Sequence, residues 1–330
     1  MSALPDLLRR ADLALARRRA LLADSGSDVA RLVDSAGDGL PGLVVEKLGP
    51  VLIAQLYDGQ LAWPLDTVRA LCGHLADRVQ ARAVYRKHFP RDRSVPRPDL
   101  ERLHRDPQPW IGVPVDAELL VVENGARFLV HPYDGYATGL YLDHRVQRAL
   151  VRELSAGRRV LNAFAYTCGF AVAAALGGAA ATSNVDVSKR HLEWGKRNLA
   201  ANGKSLAEHR FYCCDIFRYY ERAERRGERF DLVILDPPTF ARLERPRRVF
   251  QLERDLLPLV GGAVRLLAPR GCLLVSANRG ALTRRRLLAI IAAGLNAVGR
   301  RRGAVHTLDA PSDFRGELPE AARGLLIEVR

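Results

Sequence analysis

From Arg159 to the C-terminus, short apolar runs and amphipathic helical stretches succeed one another in regular alternation, and no other feature restricts this chain as strongly. A strand, a helix and another strand in succession close most simply into a mostly parallel sheet with helices on both faces. In such sheets ligands collect beyond the carboxyl ends of the strands, where loops and helix N-termini turn free N–H groups outward. The residues at those strand ends carry the functional information.

The preceding half has a different texture. Asp6 to Ala23 sets Leu7, Leu8, Leu15, Leu21 and Leu22 among Arg9, Arg10 and Arg17 to Arg19, the spacing of an amphipathic helix. Its arginines either touch RNA or form a solvated face. Short strands are expected at Arg31–Asp34, Leu43–Glu46 and Val51–Leu56, separated by the turn-rich Gly37–Gly42 and by Leu48-Gly49-Pro50. A helix over Leu65–Val79 and a strand over Ala83–Arg86 complete a small α/β unit, and the Pro- and Arg-rich Phe89–Pro109 has the composition of a linker. Asn124-Gly125 joins two apolar runs as a hairpin, because Asn-Gly readily takes the positive φ angles of a type I′ turn. The expected parts are a helix at 1–26, a small α/β region at 27–110, and a region at 111–330 that opens with this hairpin.

Four strand ends carry candidate chemistry. Arg159–Ala163 runs into a turn of small residues and then a helix, with Gly169 permitting close backbone approach. Roughly 20 residues on, Asp186 and Val187 end the second strand, where a carboxylate can accept from ribose hydroxyls. Helix capping is the competing role there, although Ser188 is the better cap. Phe211–Cys214 leads into Asp215-Ile216, a carboxylate that would lie near an adenine amino group. Phe230–Leu235 delivers Asp236 to a strand tip, and Pro237-Pro238 stiffens the extended loop leading to Thr239. The glycines of GxGxxG are absent, which argues against a nicotinamide dehydrogenase.

The loop Asp236-Pro-Pro-Thr-Phe240 resembles motif IV of nucleic-acid and related methyltransferases, where the Asp and nearby carbonyls face the substrate base. Together with Thr138–Arg145, Leu161–Thr167, Leu192–Leu199, Ser276–Gly280 and Gly37–Gly42, it makes the chain from about Arg31 onward similar to the bacterial 23S ribosomal RNA large-subunit methyltransferases. The resemblance implies a Rossmann-like class I methyltransferase sheet preceded by a smaller α/β domain, S-adenosylmethionine as cofactor and ribosomal RNA as partner. Carried over position by position, Asp143 and Arg145 flank the methionine end of the cofactor. Asn162, Ala163, Phe164 and Tyr166 line its loop, with Gly169, Asp186, Val187, Asp215 and Ile216 completing the site. Asp236, Pro237, Pro238 and Thr239 form the catalytic loop, Asp236 also meeting the cofactor.

Two departures bear on the reaction. Cys168 stands where the family often has Gly. Asn278 stands where the cytosine-C5 branch carries a nucleophilic Cys, and without covalent addition at C6 the cytosine C5 is not a nucleophile. Cys272 is expected at the start of a strand, away from its active end. The resemblance therefore points to the guanine-N7 branch. N7 has an available lone pair and needs only alignment and stabilisation of the charge that develops on the purine. An exocyclic amine is the next choice.

A net charge of +14 and a pI near 10.1, carried largely by Arg, attract polyanions. Arg242, Arg245, Arg247 and Arg248, just after the catalytic loop, are the expected RNA contacts. Arg284–Arg286 and Arg300–Arg302 either extend that surface or are solvated helix faces. The five cysteines form no CxxC pair and no His/Cys cluster has ligand spacing, so neither a disulfide framework nor a metal is expected, and the thiols read as buried. No run approaches the roughly 18 apolar residues of a membrane helix, and Met1–Leu22 lacks a signal-peptide core, which favours the cytoplasm. A closed apolar pocket above Asp236 would favour a protein or small-molecule acceptor instead. Failure to bind the cofactor would favour a non-catalytic RNA-binding relative.

Overall fold

The computed structural model describes residues 4–92, 95–244, 247–276, 283–316 and 324–330, with the side chains of 242–244, 247 and 248 outside that description. The chain divides into two compact units, Met1–Arg145 with Pro311–Glu317, and Val146–Ala310 with Leu318–Arg330.

The first unit begins with helices α1 (Leu4–Arg17) and α2 (Arg19–Leu22) and is built on a five-stranded sheet. Its strands β1 (Val29–Asp34), β2 (Leu43–Leu48), β3 (Val51–Tyr57), β4 (Ala83–Phe89) and β5 (Ile111–Gly112) lie in chain order. The β1–β2–β3 meander is antiparallel, whereas β4 runs parallel to β3 because helix α3 (Leu65–Val79) crosses over between them. Leu7, Ala11 and Ala14, at helical spacing on α1, join Leu32, Leu43, Leu71 and Leu75 in one buried cluster. A short helix, α4 (Pro98–Leu103), occupies part of the expected linker.

The helix expected to be continuous over 6–23 breaks at Arg18, and the reason is electrostatic. Arg18 is only 2% exposed and pairs with both Asp38 carboxylate oxygens, at 3.0 and 2.6 Å. It also donates to the carbonyls of Ala14, Arg31 and Asp313. This arginine is neither a solvated face nor an RNA contact. The segment Pro311–Gly316 completes the same polar knot: Asp313 accepts from the Arg31 amide at 2.8 Å, and Asp34 from the Arg315 and Gly316 amides, both at 2.6 Å. Gly37 is required here, since a Cβ would sit 2.5 Å from the Arg315 carbonyl carbon.

The hairpin β6 (Leu119–Glu123) and β7 (Ala126–Val130) turns through Asn124 and Gly125 at φ 49° and 74°, as the Asn-Gly signal requires. It is tied to the first unit by Asp28, whose amide donates to the Val122 carbonyl and whose carboxylate accepts from the Val122 amide. The boundary expected at 110/111 therefore falls inside this unit, and the hairpin closes it rather than opening the second.

The second unit alternates as its sequence demands: α5 (Arg145–Leu154), β8 (Arg159–Ala163), α6 (Gly169–Leu176), β9 (Ala181–Asp186), α7 (Lys189–Ala201), β10 (His209–Cys213), α8 (Ile216–Arg225) and β11 (Phe230–Leu235). After a small hairpin, β12 (Phe240–Glu244) with β13 (Arg247–Gln251), come α9 (Leu252–Leu266), β14 (Leu267–Ser276), α10 (Arg284–Asn296), β15 (Arg302–Leu308) and β16 (Gly324–Val329). The sheet order is β10-β9-β8-β11-β14-β16-β15, with β16 antiparallel to both of its neighbours. From β8 the chain winds one way to β9 and β10, then returns to place β11 and β14 on the other side. The gap between β8 and β11 is thus a topological switch point, where open α/β sheets bind their ligands. Leu161, Val233, Leu235, Leu273 and Val275 cover one sheet face against Leu256, Leu259, Val260 and Ala263 of α9.

Candidate active site

The site is defined by register. Ala163 pairs with Val185 on one side and Leu235 on the other, so the next residues, Phe164, Asp186 and Asp236, emerge level at three adjacent strand tips. With neighbouring strands about 4.8 Å apart, the Asp186 and Asp236 positions are separated by roughly 10 Å across the switch point. Asp236 is half-buried, Pro237 is buried and Thr239 is exposed, its carbonyl accepting from the Leu252 amide at 3.1 Å.

The loop after β8 is held in an unusual conformation. Phe164, Tyr166 and Cys168 all have left-handed φ values, 59°, 48° and 61°. Such angles are costly for side chains of this size and persist only where the surroundings over-determine them. Asp186 is the main clamp: one carboxylate oxygen accepts from the Tyr166 amide and the other from the Ser188 amide, each at 2.8 Å. The Ala165 amide donates to the Val185 carbonyl, and the Tyr166 ring meets His191 edge-on at 4.6 Å. Phe164 packs against Phe250 with ring centroids 5.5 Å apart.

The close approach expected at Gly169 is displaced by one residue. The left-handed residue is Cys168, fully buried at the N-cap position of α6, and burial pushes its thiol well above the ordinary range. Room for it comes from Gly195 on α7, where a Cβ would lie 2.3 Å from the Cys168 sulfur. The Cys168 side chain is thus accommodated by a glycine on the facing helix.

Several expected contacts have other occupations. Asn162 is 1% exposed and begins a polar ladder within the sheet, donating to Asn184 at 3.1 Å. Asn184 donates to the Thr182 hydroxyl, which meets His209 at 3.0 Å. Asn162 thereby ties three strands together, and its Oδ1 is left buried without a hydrogen-bond partner. Asp215 caps α8, accepting from the Phe217 and Arg218 amides. Ala163 and Ile216 are buried in the core, whereas Val187 is 52% exposed. The Arg145 guanidinium is buried and paired with Asp313 at 3.1 Å, and lies 3.7 Å from Glu123. Asp143 belongs to the same first unit. Ser188 caps α7 as expected, accepting from the His191 amide.

Of the expected RNA contacts, Arg242, Arg247 and Arg248 lie on the β12–β13 hairpin, opposite Val249, Glu244 and Leu243. Their side chains, together with Arg245 and Asn278, lie outside the described residues. All five cysteines are free; Cys72, Cys168 and Cys272 are buried, but Cys213 is exposed and Cys214 half-buried, against the expectation. Among the described residues no group of acidic, His and Cys side chains could hold a metal, and no helix is long and apolar enough to cross a membrane.

A Rossmann-like sheet with level acidic strand tips at its switch point defines a nucleoside-cofactor protein. The model of the S-adenosylmethionine-dependent methyltransferases matches residues 50–326, and the chain belongs to that family. It is 33% identical over 284 residues to a ribosomal RNA large subunit methyltransferase I of Klebsiella pneumoniae, covering 86% of this chain and 68% of that one. It is 42% identical over 161 residues to a ribosomal RNA large subunit methyltransferase K of Neisseria meningitidis, covering 49% of this chain and 46% of the relative. The chain thus spans about half the length of that second protein. The crystal structure of SMU.776 complexed with SAH superposes at a TM-score of 0.85 over 100% of this chain and 82% of that one; at 24% identity the likeness speaks to the fold.

The residues present fit S-adenosylmethionine. The clamped left-handed loop stands level with the Asp186 carboxylate at the switch point, in the arrangement that receives a nucleoside. The loop strain was not legible in the sequence, although the small-residue turn before Gly169 was the signal that located it.

Proposed function

We propose that this chain transfers a methyl group from S-adenosylmethionine to a base nitrogen of 23S ribosomal RNA, guanine N7 being favoured and no covalent Cys intermediate being formed. The observation that carries the reading is the level placement of Asp186 and Asp236 on either side of the switch point. The large-subunit ribosomal RNA methyltransferase names of the relatives support the acceptor class.

When bound, the cofactor supplies an electrophilic methyl group on a sulfonium. Asp186 would receive the ribose hydroxyls with the lone pairs that its two amide partners leave available, while holding the loop of Phe164 and Tyr166 in place. Asp215, Val187 and Ile216 would border the adenine. Asp236 would face the target base, its charge stabilising the positive charge that grows on the purine. Pro237 and Pro238 would keep that carboxylate aimed, and Thr239 would help orient the base. Asp143 would sit toward the methionine end, and Arg242, Arg245, Arg247 and Arg248 would meet phosphates. Arg145 would flank the methionine end as well, its guanidinium held by the pair with Asp313.

Asp236→Ala is expected to abolish transfer of tritiated methyl into ribosomal RNA while S-adenosylhomocysteine affinity stays within about tenfold, a change under roughly 1.4 kcal/mol. Full activity in that variant would remove Asp236 from its role. Label entering a metabolite or protein instead of RNA would overturn the acceptor. Mass spectrometry of the labelled RNA identifies the nitrogen.

A further inference from the structure

At the opposite edge of the second unit's sheet, where β8, β11 and β14 begin and β16 ends, lies a cavity of about 1290 Å³ that plays no part in the site above. Arg158, Arg229, Arg265, Arg270, Arg300 and Arg330 line it, against two acids, Glu224 and Glu328. Counted by side chains, six arginines against two glutamates leave four positive charges in excess in one concavity.

Two of the six have structural work. Arg265 pairs with Glu224 at 2.6 Å, and Arg300 donates to the carbonyls of Leu267 and Ala268, the first two residues of β14. The other four pair with no carboxylate among the described residues. Arg229 reaches only the carbonyl of Glu228, and Arg158 only the sulfur of Cys272. Arg270 lies near the start of β14, where the pairing with β11 shifts register, and has a left-handed φ of 61°. Like charges converging on one concavity repel, and an anion brought between them relieves that repulsion. The volume exceeds the usual 300–1,000 Å³ of a small-molecule site, which fits several phosphates of a polymer better than one free anion.

We infer that this cavity is a second RNA-phosphate docking site, gripping the ribose-phosphate backbone of the substrate at a distance from the methylated base. The inference deepens the ribosomal RNA reading and rests on it. Guanidinium groups hold phosphates bidentately and without reading sequence, so the site adds affinity and leaves the choice of nucleotide to the strand tips.

The test combines Arg229→Gln, Arg270→Gln and Arg330→Gln in the full chain, all three side chains being exposed. Binding to a large-subunit ribosomal RNA transcript is followed by anisotropy across a salt series, alongside methyl transfer to the same transcript and S-adenosylhomocysteine binding. Each lost phosphate contact removes about 0.7–0.9 from the slope of log K against log salt. The triple variant is therefore expected to show a slope shallower by about two to three and an affinity at least roughly tenfold weaker at low salt. Cofactor affinity should be unchanged, and the matching triple Lys variant should keep the slope. An unaltered slope in the Gln variant, or an equal loss in the Lys variant, overturns the docking site. Wild-type protein that binds the transcript steeply through these arginines yet never methylates it would sink the acceptor reading and spare the cavity. Efficient methylation with a slope indifferent to the Gln changes would do the reverse.

Discussion

Two arginine clusters, one in each unit, show what the same residue does under opposite accounting. In the first unit Arg18, Arg31 and Arg145 are buried or nearly so, and carboxylates meet each of them: Asp38, Asp34 with Glu46, and Asp313. In the second unit Arg158, Arg229, Arg270 and Arg330 share one concavity with no carboxylate partner among the described residues. A desolvated charge is neutralised within the fold, because leaving it unpaired costs about 3–5 kcal/mol, a large share of a marginally stable domain's net stability. A solvated arginine carries no such obligation and stays available to an anion from outside. Burial and pairing, rather than the number of arginines, separate scaffold from binding surface.

The sharpest way to break this contrast is Asp38→Ala. It strips Arg18 of its carboxylate and also removes the acceptor for the Asp34 amide. Losing one partner of a buried pair costs about 3–5 kcal/mol, so the urea midpoint of the first unit should fall steeply. A loss below about 1 kcal/mol would mean that the knot is decorative.

An intermediate effect is expected from acid, through a buried group of the first unit that has no carboxylate beside it. His104 is 1% exposed, accepts from the His88 amide and stands near Lys87, and burial lowers it to about 4. The unfolded chain, with an ordinary imidazole near 6.5, takes up the proton first. Stability intact above pH 6.5 is therefore lost as pH falls towards 4. Burial likewise lowers Lys87 to about 7, so its own contribution rises with pH from 7 towards 10.5. Denaturant midpoints at pH 7 and pH 5 should differ less in His104→Gln than in the wild type; an identical difference would show that another group drives the acid loss.

The smallest effect belongs to the open cluster. The triple change at Arg229, Arg270 and Arg330 should leave the thermal midpoint almost still, within about 0.5 kcal/mol, as surface changes usually do. Marked destabilisation would place these arginines with the scaffold and erase the distinction.

Much of the second unit was legible in the chain itself. Period-2 and period-3.6 patterning is local, so β8 to β11 and the intervening helices could be read a segment at a time, and Ser188 announced its cap. Spacing located Asp186, and the apolar strand running into Pro237-Pro238 located Asp236, because a parallel sheet brings successive strand tips to one edge. What each side chain does there was decided by tertiary structure. Asn162 turned into the sheet to join Asn184, and Asp215 was taken by its helix. Cys168 could assume a left-handed bend only because Gly195, 27 positions later, leaves space for its sulfur. The first unit depended still more on distant partners. Arg18 with Asp313, Asp34 with Gly316 and Arg145 with Asp313 meet across 168 to 295 residues. Sequence by itself determined the elements and the edge where chemistry gathers, since backbone geometry repeats along the chain. Which charges are buried, and which therefore remain open to a ligand, was settled only when distant segments closed upon one another and shut out water.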